Sequence, residues 1–320
     1  VEEEADNPDE VAGILSLHYG AAGEHEPAWR YGTLAAKGAA SAYAFVEAAN
    51  LYARAIEAGS KLPDLAKVEL GRVRESLGDA WFQAAEYRKA LDAYKTAQAQ
   101  VTGEKLIEAD LLLKLSRVEE KLGQYPEALR WVDRAREALA GAQGIEAARQ
   151  SAKASVWYAT VLQAQGNSEQ AREWAERAAR EGEEIDDPEV IGDAYMVLGW
   201  ASAALGKEGA EPLMLKSLEA HKRSGNRVRQ ASILSNLGGT CYWEGRWDDA
   251  MSYYERGRDE SMKVGNLVNA AAASMNIAEI LSDRGELAEA EATLQQTLPV
   301  WKSSEYRYFH GACIWMLGRV

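Results

Sequence analysis

Residues 230–266 read QASILSNLGGTCYWEGRWDDAMSYYERGRDESMKVGN. Leu234 and Leu237 fall on one face of a first predicted helix, and Ala250 and Tyr254 fall on one face of a second. A short Glu-Gly-Arg turn separates the two helices, and a Gly-Asn pair ends the unit. One such pair cannot bury the apolar faces of both helices, so the stretch predicts a chain in which the pair is repeated.

The pair does recur, with a period of about 40 residues. A large residue followed by a small one marks each first helix, and these marker residues are Leu77, Leu115, Tyr158, Leu198, Leu237, Ile277 and Leu317. Eight positions after each of the first six markers stands a turn residue: Ala85, Gly123, Gly166, Gly206, Gly245 and Gly285. An alanine of the second helix follows: Ala90, Ala128, Ala171, Ala210, Ala250 and Ala290. The small residue lets two helices approach closely, and the turn residue ends the first of them.

These residues resemble the tetratricopeptide repeat, whose pattern runs W-x2-L-G-x2-Y, then G, then A-x3-F-x2-A. Leu237-Gly238, Gly245, Ala250 and Tyr254 follow that pattern. The proline that usually follows the second helix is mostly absent, and the longer period implies helices lengthened by about one turn. The resemblance implies an all-α, tetratricopeptide-like α-solenoid, a right-handed superhelix of antiparallel helix pairs with a concave and a convex side.

The sequence predicts three parts. Residues 1–9 are acidic and are interpreted as a linker, residues 10–60 as helices leading into the solenoid, and residues 61–320 as six pairs and a final helix. The predicted leading helices are 10–22, 27–40 and 45–58. The predicted pairs are 64–84 with 87–101, 105–122 with 125–140, 145–165 with 168–182, 188–205 with 208–223, 227–244 with 247–264, and 267–284 with 287–303. Both ends of the sequence fit a segment cut from a longer polypeptide.

Short strings in the leading helices resemble the start of the tetratricopeptide arm in multidomain signalling ATPases of bacteria. They are His18-Tyr19, Ala22-Gly23, Ala28 and Ala48-Ala49-x-Leu51-Tyr52-x-Arg54-Ala55. The resemblance implies an ATPase module of the nucleotide-oligomerisation type in front of the arm. It also implies an attached output module, either a class III adenylate cyclase or the DNA-binding domain of a MalT-like or LuxR-type regulator.

Composition and charge narrow the classes of function. The net charge is −14 and no basic face stands out, so we expect no direct binding to nucleic acid. Cys241 and Cys313 are interpreted as buried, reduced thiols, since two cysteines are too few for a disulfide framework. No apolar run approaches the length of a membrane span, and no secretion signal is present, so we expect a cytoplasmic protein.

The sequence contains no pattern typical of catalysis. No phosphate-binding glycine loop is present, and the four histidines lack the spacing of a metal site. The acidic residues 181–189 lack the ligand spacing of a calcium loop and are interpreted as a solvated turn. We therefore expect no catalytic residue, no cofactor and no metal.

What remains is binding. Asn236 and Asn276 each stand one position before a marker residue, and in tetratricopeptide arrays the first helices line the concave face. Asparagine there resembles the ladder with which longer-repeat members, such as kinesin light chain, hold an extended peptide, because an amide both donates and accepts hydrogen bonds. Trp200, Tyr242 and Trp243 are predicted to take the apolar anchors of such a peptide. In the alternative, the asparagines only bridge neighbouring helices and the aromatic residues pack between repeats.

Three hypotheses of function follow. The first is a non-catalytic scaffold or sensor arm that binds a protein, a peptide or its own upstream ATPase or cyclase domain, and so regulates an attached signalling module. The second is a segment of a larger ATPase, adenylate cyclase or transcription regulator whose catalytic or DNA-binding domains lie elsewhere. The third is a free-standing adaptor.

Overall fold

The computed structural model describes residues 11–101, 103–303 and 307–320, and these form helices without any strand. The predicted linker at residues 1–9 lies outside the described residues. The helices are α1 (Ala12–Ala22), α2 (His25–Ser41), α3 (Phe45–Gly59), α4 (Lys67–Gln83), α5 (Tyr87–Gln100), α6 (Lys105–Lys121), α7 (Tyr125–Ala138), α8 (Ile145–Ala164), α9 (Ser168–Glu184), α10 (Pro188–Ala204), α11 (Ala210–Arg223), α12 (Arg227–Trp243), α13 (Trp247–Lys263), α14 (Leu267–Asp283), α15 (Leu287–Ser303) and α16 (Arg307–Arg319). The predicted helix bounds agree with these to within about three residues, and the all-α, tetratricopeptide-like solenoid is confirmed.

The chain forms two compact units, which are described separately. Unit 1 is Val1–Asn167 and contains α1 to α8, whereas unit 2 is Ser168–Val320 and contains α9 to α16. The division falls between the two helices of the third predicted pair. The predicted boundary between leading helices and repeats at residue 60 stays a prediction.

The turn residues adopt the left-handed backbone conformation that ends a helix. The six predicted positions have φ between 59° and 86°: Ala85, Gly123, Gly166, Gly206, Gly245 and Gly285. Glycine adopts this conformation without steric cost, whereas alanine is strained in it. The regular spacing of glycine in the sequence therefore reflects a backbone requirement, and Ala85 is its one departure.

The small residue after each marker allows close helix crossing. A β-carbon on Gly78 would lie 2.4 Å from a ring carbon of Tyr94 on α5, and one on Gly199 would lie 2.8 Å from Cγ of Met214 on α11. The alanines of the second helices are fully buried at Ala90, Ala128, Ala171, Ala250 and Ala290. Ala210 lies in the second helix, as predicted, but it begins α11 and is partly exposed, and Met214, one turn later, fills the crossing.

In unit 1 the leading helices and the first pairs pack in sequence. One cluster joins α2, α3 and α4 through Trp29, Tyr52, Ile56, Val73 and Ala80. A second cluster joins α4 to α8 around the fully buried leucines of α6, Leu111, Leu112 and Leu115. The leading helices therefore share a core with the first repeat.

In unit 2 an ion pair links each turn to the preceding repeat. Lys207 contacts Glu169 at 3.1 Å, Arg246 contacts Glu211 at 2.8 Å, and Arg284 contacts Asp248 at 2.6 Å. Successive repeats are thus also connected by ion pairs at their surface. Cys241 and Cys313 are buried free thiols, as predicted. No described helix has the length and apolar character needed to cross a membrane.

Candidate binding face on the first helices of unit 2

Six residues of α12 and α14 stand one position before, two positions after and six positions after a marker residue. They are Asn236, Gly239, Trp243, Asn276, Glu279 and Asp283. Positions separated by three and seven residues lie on one side of a helix, and all six are at least partly exposed. The markers Leu237 and Ile277 are buried on another side. We call these six residues the first-helix face.

The two asparagines occupy equivalent positions on successive first helices. Asn236 and Asn276 are half-buried, and neither side-chain amide forms a hydrogen bond with a described residue. The main-chain carbonyl of Asn236 accepts from Thr240 Oγ1 at 3.1 Å, which leaves its side chain uninvolved. Both amides thus keep a donor and an acceptor available.

The three predicted aromatic residues differ in their surroundings. Trp200 is half-buried against Met196, Met214 and Leu237, so it packs between repeats. Tyr242 is half-buried and meets Trp243 edge to face, with ring centroids 5.6 Å apart. Trp243 is 86% exposed. The structure brings Tyr242 and Trp243 together on α12, while Trp200 belongs to a core.

Asp283 is held by two neighbours. It accepts a hydrogen bond from the Tyr242 hydroxyl at 2.6 Å, and Arg319 of α16 forms an ion pair with its other oxygen. This hydrogen bond, together with burial and the charge of Glu279, raises the pKa of Tyr242. The result is a polar link through three successive first helices, α12, α14 and α16.

Glu279 is partly buried and forms no hydrogen bond or ion pair with a described residue. Its charge still acts nearby. The pKa of Tyr254 on α13 rises to about 12, chiefly because the ring is buried and secondly because of Glu279. Sequence reasoning did not select Gly239, Glu279 or Asp283. The available signal was their spacing from the markers, which places them on the same side of the helices as Asn236 and Trp243.

Three of the equivalent positions in α4 and α6 of unit 1 hold Asp79, Lys114 and Arg117, and each of these side chains has a partner. Lys114 of α6 contacts Glu75 at 2.5 Å and Asp79 at 2.9 Å, both on α4. Tyr94 donates a hydrogen bond to Asp79 at 2.7 Å, and the Arg117 guanidinium lies 4.0 Å from the ring centroid of Phe82. These three side chains are therefore paired within the protein, whereas Asn236, Asn276 and Glu279 have no side-chain partner among the described residues.

Metal ligands do not gather in the described parts of the chain: no group of three or more His, Cys, Asp or Glu could hold an ion there. His221 is fully buried, with Nε2 3.4 Å from Asp193, which also pairs with Arg229 at 3.2 Å. A β-carbon on Gly192 would lie 2.5 Å from that imidazole, so this contact is part of the packing of α10 on α11.

Comparison with known proteins supports the repeat. The tetratricopeptide repeat family matches residues 152–177 and residues 270–304. None of the curated proteins matches the sequence of the chain.

Several solved structures share the fold at low sequence identity. A signal transduction ATPase with numerous domains from Pyrococcus horikoshii, which has a tetratricopeptide repeat sensor, is 15% identical with a TM-score of 0.59. The match covers 98% of this chain and 50% of that protein, so the chain spans half its length. A Rap protein complexed with competence and sporulation factor is 16% identical over 97% of this chain and 96% of its own, with a TM-score of 0.61.

The apo form of the quorum sensor NprR from B. thuringiensis also has a TM-score of 0.61, at 12% identity, with 89% of this chain and 80% of that chain covered. At these identities the likeness concerns the fold. Together with the two repeat matches and the helix-pair period, it shows that the chain is built of tetratricopeptide-like repeats and that its fold is similar to that of a signalling ATPase which has a tetratricopeptide repeat sensor.

Proposed function

We propose that the chain is a non-catalytic arm that binds a protein or peptide segment and thereby regulates an attached signalling module. One observation carries the proposal: two unpaired asparagine amides stand at equivalent positions of successive first helices, beside the exposed Trp243. An extended backbone offers donors and acceptors that such amides complement, and an exposed indole takes an apolar anchor. Segments of the protein's own upstream domains are included among the partners.

The structural relatives support this proposal by analogy of fold. One is described as a sensor of a signalling ATPase, one as bound to competence and sporulation factor, and one as a quorum sensor. We propose that the chain acts in the cytoplasm.

A second candidate function is supported by a separate observation. The chain aligns over nearly its whole length with half of the signalling ATPase from Pyrococcus horikoshii. The chain is then the arm of a larger ATPase, cyclase or ATPase-type transcription regulator, and its binding role is the same within that protein. A free-standing adaptor is the remaining alternative. The open reading frame that surrounds residues 1–320 distinguishes it from the other two, since it shows whether ATPase, cyclase or DNA-binding domains are encoded beside the segment.

The test is peptide selection against residues 1–320. Random peptides of about ten residues, long enough to span several repeats in extended form, are displayed and selected on the chain. The selected peptides are then synthesised and titrated calorimetrically against the chain and against the Asn236→Ala, Asn276→Ala double variant. We expect the double variant to bind about 1–3 kcal/mol more weakly, because peptide groups lose their partners.

The matched control is Asn269→Ala. Asn269 is an exposed asparagine at the start of α14, outside the first-helix face, and its replacement should leave affinity unchanged. Equal affinity of the wild type and the double variant for every selected peptide would contradict the asparagine ladder. If selection enriches no peptide at all, peptide binding itself is contradicted.

A further inference from the structure

The first helices of unit 2 contain four acidic residues within the described bounds of α10, α12, α14 and α16. Three have partners: Glu189 accepts from Asn226 at 3.2 Å, Asp193 pairs with Arg229 and His221, and Asp283 with Tyr242 and Arg319. Glu279 has none among the described residues, although it is partly buried. It is therefore the one carboxylate of this set whose charge the fold leaves unmatched.

A carboxylate on an open face is stabilised when a cation or a hydrogen-bond donor reaches it. No described residue supplies such a group to Glu279. Other carboxylates of these helices form ion pairs with arginines of the protein: Asp193 with Arg229, and Asp283 with Arg319. The open position of Glu279 on an exposed face is thus suited to a cation supplied by a ligand.

Gly239 leaves room on α12, at the position equivalent to that of Glu279 on α14. A β-carbon on Gly239 would meet only the Tyr254 hydroxyl, at 3.6 Å, so packing does not demand a glycine there. A glycine inside a helix costs about 1 kcal/mol relative to alanine, and its missing side chain permits close approach of another chain. Glu279 occupies the same position relative to its marker on the next first helix. Its charge also reaches Tyr254, whose hydroxyl borders Gly239.

We infer that the segment bound on the first-helix face is an extended peptide carrying a lysine or arginine, whose cationic group pairs with Glu279. This inference rests on the proposed function and specifies its ligand. The asparagines hold the peptide backbone, Gly239 admits it close to α12, and Glu279 selects the basic side chain. Charge complementarity sets the class of partner: a basic residue within a peptide, in an interface where a hydrogen-bonded charge pair is only partly solvated.

The experiment uses peptides from the selection whose binding depends on Asn236 and Asn276. Their sequences are aligned, and the tightest binder is synthesised both as selected and with its enriched basic residue replaced by norleucine. Each peptide is titrated against wild type, Glu279→Gln and Glu255→Gln. Glu255 on α13 is exposed and unpaired within the described residues, so its variant carries the same charge change away from the face. Melting temperatures verify that all three proteins are folded.

We expect a lysine or arginine at one aligned position. Glu279→Gln should weaken the basic peptide about tenfold or more, as for a hydrogen bond to a charged group. The norleucine peptide should bind wild type more weakly by about the same factor. The norleucine peptide and Glu279→Gln combined should lose little more affinity than either change alone. Glu255→Gln should leave affinity unchanged, and rising salt should weaken only the basic peptide.

Two results would overturn the inference. One is a set of asparagine-dependent peptides without an enriched basic residue, and the other is undiminished binding to Glu279→Gln. Both leave the proposed function standing, because peptides still bind through the asparagines. Absence of any asparagine-dependent peptide instead removes the proposed function, and the inference with it.

Discussion

Gly238 lies directly under the ring of Tyr254, so that a β-carbon on Gly238 would stand 2.8 Å from two of the ring carbons. Tyr254 is buried and its neighbours include Cys241, Ala250 and Ile277, so the ring has little room to move. The crossing of α12 and α13 therefore depends on the absence of a single methyl group.

Gly238→Ala should destabilise the protein by about 1–3 kcal/mol, because the added methyl overpacks this crossing. Gly239→Ala, at the next residue, should be neutral or stabilising by up to about 1 kcal/mol, since helix propensity improves and the space is open. Chemical denaturation of both variants measures the difference. Equal losses at the two glycines would show that the ring of Tyr254 does not set the requirement.

Ala85 provides a stabilising substitution. It adopts φ of 59°, and its equivalent in the next repeat, Gly123, adopts φ of 73°. The left-handed conformation costs alanine about 1–2 kcal/mol in the folded state. Glycine removes this strain, but its greater conformational entropy in the unfolded state offsets part of the gain. Ala85→Gly should therefore raise the free energy of unfolding by up to about 1 kcal/mol.

Gly123→Ala is the reciprocal control. No atom lies within 4 Å of a β-carbon built there, so the substitution acts through the backbone alone. It should lower the free energy of unfolding by about the amount that Ala85→Gly gains. Urea denaturation measures both, and an Ala85→Gly variant less stable than wild type would refute the argument from φ.

The fold was predictable because it follows from local rules repeated at a constant period. Left-handed turn residues, small residues at crossings and buried alanines each leave a mark in the sequence, and the helices were found close to their predicted bounds. Ala210 differs from the other alanines because the linker before α11 is longer, with Gly209 in a left-handed conformation, and Met214 fills the crossing there.

The candidate site was only partly predictable. The positions of Asn236 and Asn276 follow from the period, but whether an amide is bonded depends on contacts between repeats. For the same reason Trp200 and Trp243 could not be distinguished in advance, although one packs in a core and the other is exposed. Glu279 was missed because a lone glutamate on a helix resembles any solvated charge until its lack of a partner is seen.

Buried tyrosines should make the protein sensitive to alkali. Burial raises the pKa of Tyr254 to about 12 and also raises the pKa of Tyr94. The pKa of tyrosine in an unfolded chain is about 10, so the folded state binds the phenolic proton more strongly. The corresponding stability is fully present below about pH 10 and is lost as the pH rises from there towards the folded pKa.

The free energy of unfolding should therefore fall between about pH 9 and pH 11, and the fall should be smaller in Tyr254→Phe, which removes one of these protons. Guanidinium denaturation at the two pH values measures it, and ultraviolet absorbance follows the ionisation of the phenols. The same fall in Tyr254→Phe as in wild type would contradict a contribution from this ring.

Lys114 neutralises carboxylates on two helices of unit 1. It contacts Glu75 and Asp79, and Asp110 lies 3.8 Å away. Lys114→Met should lower the free energy of unfolding by about 2–4 kcal/mol at neutral pH, because it leaves partly buried carboxylates close together without a cation. Lys95→Met, which removes an exposed lysine from α5, is the control and should cost little.

The sign of the pH dependence separates this explanation from a simple loss of packing. Burial already raises the pKa of Glu75, although Lys114 opposes that rise. Without the lysine, the folded-state pKa of Glu75 should rise further, so Glu75 of the variant takes up a proton as the pH falls from about 7 to 5. Protonation removes the repulsion, and the difference in stability between wild type and Lys114→Met should shrink over this range. A difference that stays constant with pH would assign the loss to the lysine's methylene contacts instead of its charge.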